Sequence, residues 1–273
     1  MSDNRPIGIL DSGIGGMTIA KGITELLPNE QIIFFGDTTH LPYGDKSKDS
    51  LKTYVHKITT LLLEKNCKAV LIACNSASAA AYISINKDFG KDLHILNVID
   101  PVVEYVSKTG GFQKIGVIGT KATINSKAFL RKFKRTAPEL EVKTMATPLL
   151  APMIEEGFFN NKISQTIINA YLDSHYLKDI DALVLACTHY PLIKKEIEKY
   201  YIKNNREVMI LDSMQIMADY TQNILAKANL LSPVRDENAN HHFYVSDYTQ
   251  SFQNTTHLFF GQNVKLQHLP IWD

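Results

Sequence analysis

Two cysteines in this chain stand in matched surroundings, and a thiol pair placed that way can move protons. Residues 69–78 run Ala-Val-Leu-Ile-Ala-Cys-Asn-Ser-Ala-Ser, and residues 182–192 run Ala-Leu-Val-Leu-Ala-Cys-Thr-His-Tyr-Pro-Leu. Each is a short apolar run bounded by small polar residues, which predicts a buried strand meeting a turn. Cys74 and Cys187 therefore fall at the carboxyl ends of their strands. Open α/β sheets hold ligands at that rim, where following helices present unpaired N–H groups. An unperturbed thiol ionises at about pH 8.5, so an active cysteine needs a helix N-terminus after it or an ionisable neighbour. Asp11 falls on the same rim as Cys74, and His189 lies two residues beyond Cys187. A single cysteine with a histidine points to a hydrolase forming a covalent intermediate. Two cysteines in equivalent positions point elsewhere: with a flat carbanion between them, one removes a proton from one face and the other delivers a proton to the opposite face. The outcome is inversion of a stereocentre. Taken singly, each cysteine is a small buried hydrophobe; the matched placement favours the chemistry.

The elements that must carry these residues follow from the apolar pattern. Ile7–Leu10 predicts a strand, Asp11-Ser-Gly-Ile-Gly-Gly16 a tight turn, and Met17–Leu27 a helix. The turn is no dinucleotide fingerprint, because Thr18 stands where GxGxxG needs glycine, and there is no GxxxxGK. A second strand at Ile32–Phe35 leads into a long loop, Gly36–Ser47, of a length suited to binding. Leu51, Tyr54, Val55, Ile58, Leu61 and Leu62 recur at helical spacing, a core stripe. Ala77–Phe89 predicts a helix and Ile95–Val98 a strand ending near Pro101. The plan then repeats: strand Lys114–Ile118, polar turn Gly119–Thr123, helix Ile124–Phe133, strand Glu141–Met145, a loop through Pro148 and Pro152, helix Ile163–Tyr171 and the second cysteine strand. Val208–Leu211 predicts a further strand, Gln215–Leu230 a helix, and short strands at Phe243–Val245 and Val264–Leu269 flank a helix at Ser251–Phe260.

Alternation of strand and helix implies parallel sheets. The fold expected is α/β: two pseudo-symmetric domains, each a mostly parallel sheet flanked by helices, with the active site in the cleft between them. Residues 1–98 plus 208–273 would form a discontinuous first domain and residues 99–207 the second.

Composition narrows the function. Lys and Arg number 29 against 28 Asp and Glu, so no nucleic acid or membrane partner is expected. The start, Met1–Pro6, is polar, and no apolar run approaches the roughly 18 residues of a membrane span. Three cysteines with no CxxC pair fit reduced thiols and a cytoplasmic location. Cys67 is structural by its pattern. A CxH pair at Cys187 and His189 lacks zinc-ligand spacing, and no metal is expected.

Asp11-Ser-Gly-Ile-Gly-Gly16, Pro42-Tyr-Gly44, Ala73-Cys-Asn-Ser-Ala77, Gly119-Thr-Lys-Ala-Thr123 and Ala186-Cys-Thr-His-Tyr-Pro-Leu192 together resemble the glutamate racemases of bacterial cell-wall synthesis. The cysteine motifs alone indicate the wider aspartate/glutamate racemase superfamily. The Cys-Thr-His-Tyr-Pro segment with the Pro-Tyr-Gly loop makes the likeness specific. It implies racemisation of L-glutamate to D-glutamate for peptidoglycan with no pyridoxal phosphate or metal, in a cytoplasmic enzyme that is often a homodimer. It also implies that Cys74 acts on the α-proton of the D-enantiomer and Cys187 on that of the L-enantiomer. Asp11 would assist Cys74; His189 would assist Cys187, with Glu155, or its neighbour Glu156, as an added acid. Asp11, Ser12, Pro42, Tyr43, Gly44, Asn75, Ser76, Thr120, Thr123, Thr188 and His189 match substrate-binding positions. Their hydroxyls, amides and backbone N–H groups suit two carboxylates and an ammonium.

The chain departs from that pattern twice. Ser76 stands where threonine is common, and Asp37-Thr-Thr-His40 replaces Asp-Thr-Ala-Arg, removing a fixed charge from the loop. A related racemase or decarboxylase acting on aspartate, and an amino-acid-binding protein without turnover, are the alternative readings. The basic run Arg131, Lys132, Lys134 and Arg135 is expected on a solvated helix face, His241 and His242 in exposed positions, and Tyr200-Tyr201 capping a surface helix or meeting a partner subunit.

Overall fold

Apolar runs bounded by turn residues become parallel strands, and the amphipathic stretches between them become the helices that cover both faces. In a computed structural model the described residues are 3–233, 240–260 and 264–272. Met1, Ser2 and the parts of the expected first domain at 234–239, 261–263 and 273 lie outside the described residues. In chain order the elements are β1 (Ile7–Asp11), α1 (Met17–Leu26), β2 (Ile32–Gly36), α2 (Lys48–Glu64), β3 (Ala69–Ile72), α3 (Asn75–Phe89), β4 (His94–Asn97), α4 (Ile99–Thr109), β5 (Lys114–Gly119), α5 (Lys121–Asn125), α6 (Ala128–Thr136), β6 (Glu141–Ala146), α7 (Leu150–Glu155), α8 (Lys162–Leu172), β7 (Ala182–Ala186), α9 (Lys194–Lys203), β8 (Met209–Leu211), α10 (Ser213–Lys227), β9 (His242–Val245), α11 (Gln250–Phe260) and β10 (Leu266–His268).

The strands form a six-stranded sheet, β10-β9-β2-β1-β3-β4, and a four-stranded sheet, β6-β5-β7-β8. Every pairing is parallel. β1 is central, with Ile9 opposite Phe34 on one side and Leu71 on the other. Such strands are covered on both faces, which is why they are apolar throughout. One face of the first sheet packs Ile19 and Ile23 of α1 with Met217 and Leu225 of α10. The other packs Val55 and Ile58 of α2 with Ala81 and Ile85 of α3. The second sheet is covered by Val102 and Phe133 of α4 and α6 on one side and by Ile154, Ile168 and Ile197 of α7, α8 and α9 on the other. Each side chain of this size stabilises the fold by roughly 1.5–3 kcal/mol when fully buried. Among the described residues no helix is long and apolar enough to cross a membrane.

The structure corrects several local expectations. A helix, α4, begins at Ile99, where the pattern predicts a strand ending near Pro101. Pro101 is tolerated there because the first turn's N–H groups lack intrahelical acceptors in any case. The single helix expected at Ile124–Phe133 is two, α5 and α6, divided at Lys127 with φ of 55°. Residues 150–155, expected as loop, are helix α7. β8 pairs with β7 through Leu183 and Ile210, so residues 209–211 belong to the second sheet and not, as residues 208–273 were assigned, to the first domain. Tyr200 and Tyr201 are buried in α9, with the Tyr200 hydroxyl donating to Asp173 at 2.6 Å. His241 and His242 are half-buried, because His242 opens strand β9 and His241 Nδ1 accepts from the Ile32 N–H. The basic run divides: Arg131, Lys134 and Arg135 are exposed, while Lys132 is half-buried and paired with Asp100.

Candidate active site

The first side of the site is built at the ends of β1 and β3. Asp11 ends β1 fully buried, and one of its carboxylate oxygens accepts from the Gly13 and Gly16 N–H groups at 3.2 and 3.0 Å. The turn coils this tightly because residue 16 is glycine: a Cβ there would lie 2.6 Å from the Asp11 Cβ. Thr188 of the second side donates to the other oxygen at 3.4 Å. Cys74 caps α3, 6 % exposed. Burial foremost, with the Asp11 charge added, pushes its thiol up to about 12, although N–H groups of Ala77 and Ser76 and the Ser12 side chain favour the thiolate.

The second side is built where β7 ends. Cys187 follows Ala186, also 6 % exposed. Its sulfur lies 3.8 Å from His189 Nδ1, and His189 Nε2 lies 3.2 Å from Glu155 Oε1 at the end of α7. That last approach is a proximity without the alignment of a hydrogen bond. Burial holds the Cys187 thiol well above the ordinary range, and the nearby Cys74, Asp11 and Glu155 add to it. Glu155 is raised chiefly by burial, with His189 opposing. Geometry separates the two adjacent acids: Glu155 lines the cavity with the histidine and Glu156 does not. A helix N-terminus after each cysteine could supply part of the assistance that a thiolate needs. Cys74 has one, whereas Cys187 is followed by a 3-10 turn at Tyr190–Ile193 before α9.

Loops at the carboxyl ends of β1, β2, β3, β5, β6 and β7 converge on one cavity. Ser12, Pro42, Tyr43, Gly44, Cys74, Asn75, Ser76, Thr120, Glu155, Cys187, Thr188 and His189 all line it, joined by Leu41, Ala151 and Ala186. Asp11 and Thr123 stand one layer behind. The Ser76 hydroxyl meets Thr120 Oγ1 at 2.8 Å and Thr123 Oγ1 at 3.4 Å, a neutral cluster spanning the two sides. Asn75 Nδ2 is buried without a hydrogen-bond acceptor among the described residues. The cavity itself is narrow, ≈ 30 Å³, room for one or two water molecules.

Glycines let the two sides meet. A Cβ on Gly15 would stand 2.7 Å from the His189 ring, and one on Gly44 would stand 2.8 Å from Thr120 Cβ. Gly15 sits inside the glycine-rich turn, yet nothing local marks it as the contact for His189. Leu41, Ala151 and Ala186 carry no polar signal by which a sequence could mark them. Chemically, the arrangement offers two protonated thiols, one from each sheet, each with its own ionisable neighbour, and a set of uncharged donors between them.

The family described as Asp/Glu/hydantoin racemase matches residues 18–221. A glutamate racemase of Neisseria meningitidis serogroup C is 38 % identical over 261 residues, 96 % of this chain and 94 % of that protein. The crystal structure of glutamate racemase from Francisella tularensis in complex with D-glutamate is similar, with a TM-score of 0.88 and 34 % identity over 98 % of both chains. That of a Bacillus anthracis glutamate racemase isoform has a TM-score of 0.90 and 30 % identity, again over 98 % of both.

Proposed function

The chain belongs to the Asp/Glu/hydantoin racemase family, and from that premise we propose that it is a glutamate racemase that interconverts the enantiomers between Cys74 and Cys187 without a cofactor. The observation that carries the reading is that one buried thiol from each sheet lines a single cavity whose other polar groups are mostly uncharged. The Cys74 thiolate takes the α-proton of D-glutamate while the Cys187 thiol gives its proton to the opposite face; the L-enantiomer runs the same exchange in reverse. Protons balance, since each turnover moves one onto one sulfur and one off the other. Asp11 accepts the Cys74 proton before the D-enantiomer reacts. His189, with Glu155 beside it, does so for Cys187.

Binding roles follow from chemistry. Asn75 Nδ2 needs an acceptor, and with the hydroxyls of Ser76 and Thr120 it donates to carboxylates; Thr188 and Ser12, whose protons go to Asp11 and Cys74, accept from the ammonium. Thr123 orients Thr120 and Ser76 from behind. A cavity of ≈ 30 Å³ is too small for a five-carbon dicarboxylate, so the two sides separate to admit it. The proposal extends, from the family resemblance, to supply of D-glutamate for peptidoglycan, a cytoplasmic location and a homodimer; sedimentation velocity tests the last.

The test is incubation with L-glutamate in heavy water in the presence of a chelator, followed by circular dichroism and mass spectrometry. Decay of optical rotation with one deuterium entering at Cα is the expected result. Absence of both refutes the activity, and full turnover by Cys74→Ala or Cys187→Ala refutes the two-thiol mechanism.

A further inference from the structure

Asp37, at the end of β2, is fully buried yet takes no part in the chemistry above. A carboxylate taken out of water destabilises the fold unless donors surround it. Here each oxygen receives two: Oδ1 accepts from Ser246 Oγ at 2.9 Å and from Trp272 Nε1 at 2.7 Å, while Oδ2 accepts from Tyr43 Oη at 2.6 Å and from His40 Nδ1 at 2.9 Å. Two of the donors, His40 and Tyr43, belong to the loop that delivers Pro42, Tyr43 and Gly44 to the cavity. The other two come from more than 200 residues further along the chain.

That loop has little regular structure of its own, only 3-10 turns at Thr38–His40 and Tyr43–Asp45. It is tied down by the same distant segment: Ser246 Oγ accepts from the Thr39 N–H at 3.0 Å, and Thr38 Oγ1 accepts from the Asp247 N–H at 2.9 Å. Trp272 presents a ring edge to His40 at 4.5 Å, His40 stacks on Tyr54 at 3.9 Å, and Lys57 Nζ sits 4.8 Å from the indole. His40 is the residue that replaces an arginine of the family pattern, and Trp272 fills the space beside it.

We propose that Trp272, through Asp37, is a positioning residue for the substrate loop: it holds the Pro42-Tyr43-Gly44 wall at the distance from Cys74 that glutamate binding requires. Gly44 also abuts Thr120 of the second side, so the anchored loop is the surface against which that side closes. The proposal rests on the racemase reading for its kinetic readout alone.

Two variants test it in the whole enzyme. Trp272→Phe removes one donor and keeps an aromatic ring; Asp37→Asn keeps the shape and turns an acceptor into a donor facing two donors. Amide hydrogen exchange over residues 38–46 is expected to quicken about tenfold in Trp272→Phe, the loss of one bond to a charged acceptor. The KM for both enantiomers is expected to rise about three- to tenfold with kcat within about twofold, as for an interaction made equally in ground and transition states. Unchanged exchange in the loop overturns the anchoring. Faster exchange with unchanged KM, or a lowered melting temperature alone, overturns the positioning role. If the wild-type protein does not racemise glutamate, the functional reading fails by itself, and loop exchange still decides whether Trp272 holds the loop.

Discussion

Replacing Asp11 with asparagine should make Cys74 more reactive and the enzyme slower, and that opposition is a sharp test of the proposed site. The substitution is mild. The asparagine amide oxygen can accept from Gly13 and Gly16 as the carboxylate does, and its NH2 can donate to Thr188 Oγ1, so all three bonds survive in form. Only the charge goes. With the Cys74 thiol at about 12 in the intact site, ionising it at pH 8 costs about 5 kcal/mol, at 1.36 kcal/mol per unit. The thiolate fraction is then about one in ten thousand. A like charge close by commonly raises a pKa by about one unit or more, so Asp11→Asn should raise that fraction, and the alkylation rate of Cys74, about tenfold.

The assay follows iodoacetamide labelling of the Cys74 peptide by mass spectrometry between pH 7 and 10. In both proteins the rate should climb tenfold per pH unit with no plateau below pH 10, and the Asp11→Asn line should lie above the wild-type line throughout. Turnover of D-glutamate should fall by about 10²–10⁴, the usual contribution of a positioned acid–base group. Slower labelling in the variant would refute the assignment of Asp11 to the Cys74 side. A plateau near pH 8.5 in both would show that the thiol is not desolvated at all.

Three further outcomes follow from the same structure. Gly15→Ala puts a methyl 2.7 Å from the His189 ring and should cut kcat/KM for L-glutamate about a hundredfold, as displacement of a reacting pair by an ångström does; a wild-type value would mean that the two sides do not close on each other there. Lys68 and Glu30 form a buried ion pair at 2.6 Å, far from the site, with Lys68 also donating to the carbonyls of Asp3 and Leu230; Lys68→Met strands the carboxylate and should cost about 3–5 kcal/mol by denaturant unfolding, with kcat retained below the transition. Cys67 and Cys74 are both raised to about 12, and Cys187 is raised well above its ordinary value. Because the native state keeps these thiols neutral, the stability they contribute is present in full below the unfolded-state value of 9.0 and is lost as pH climbs from there toward 12. Calorimetry should show stability falling by up to about 1.4 kcal/mol per pH unit for each thiol over that interval, and a flat profile would contradict their burial.

What could be foreseen from the chain is what local pattern encodes. Ala69–Ile72 and Ala182–Ala186 announce themselves as strands because both faces of each are covered, and His189 is only two residues from its cysteine. The helix α4 escaped because a proline in a first turn looks like a terminator. Three residues at β8 carry no sign of which sheet they join. The Asp37 cluster escaped for a different reason: its donors at 246 and 272 are remote in sequence, and a lone tryptophan is as easily a surface residue as an anchor. That Glu155 and not Glu156 approaches His189 needed the end of α7, which sets the first of the two carboxylates toward the ring.

The raised thiols and the narrow cavity are one phenomenon. Closing Gly15 onto His189 and Gly44 onto Thr120 excludes the water that would otherwise solvate a thiolate, and the same closure adds Cys74 and Asp11 of the first side to the charges that oppose ionisation of Cys187. Neither sulfur is therefore a ready base in the closed protein by itself. On the proposed function, glutamate bound between them would set its α-ammonium against both sulfurs, while the hydroxyls and amides lining the cavity would pair with its two carboxylates. An ammonium close to a thiol favours its ionised form, so the proposed transfer of the proton to Asp11 or His189 would be easier with substrate bound than without it. On that reading the substrate supplies part of the activation of its own base, from either enantiomer, because both carry the ammonium.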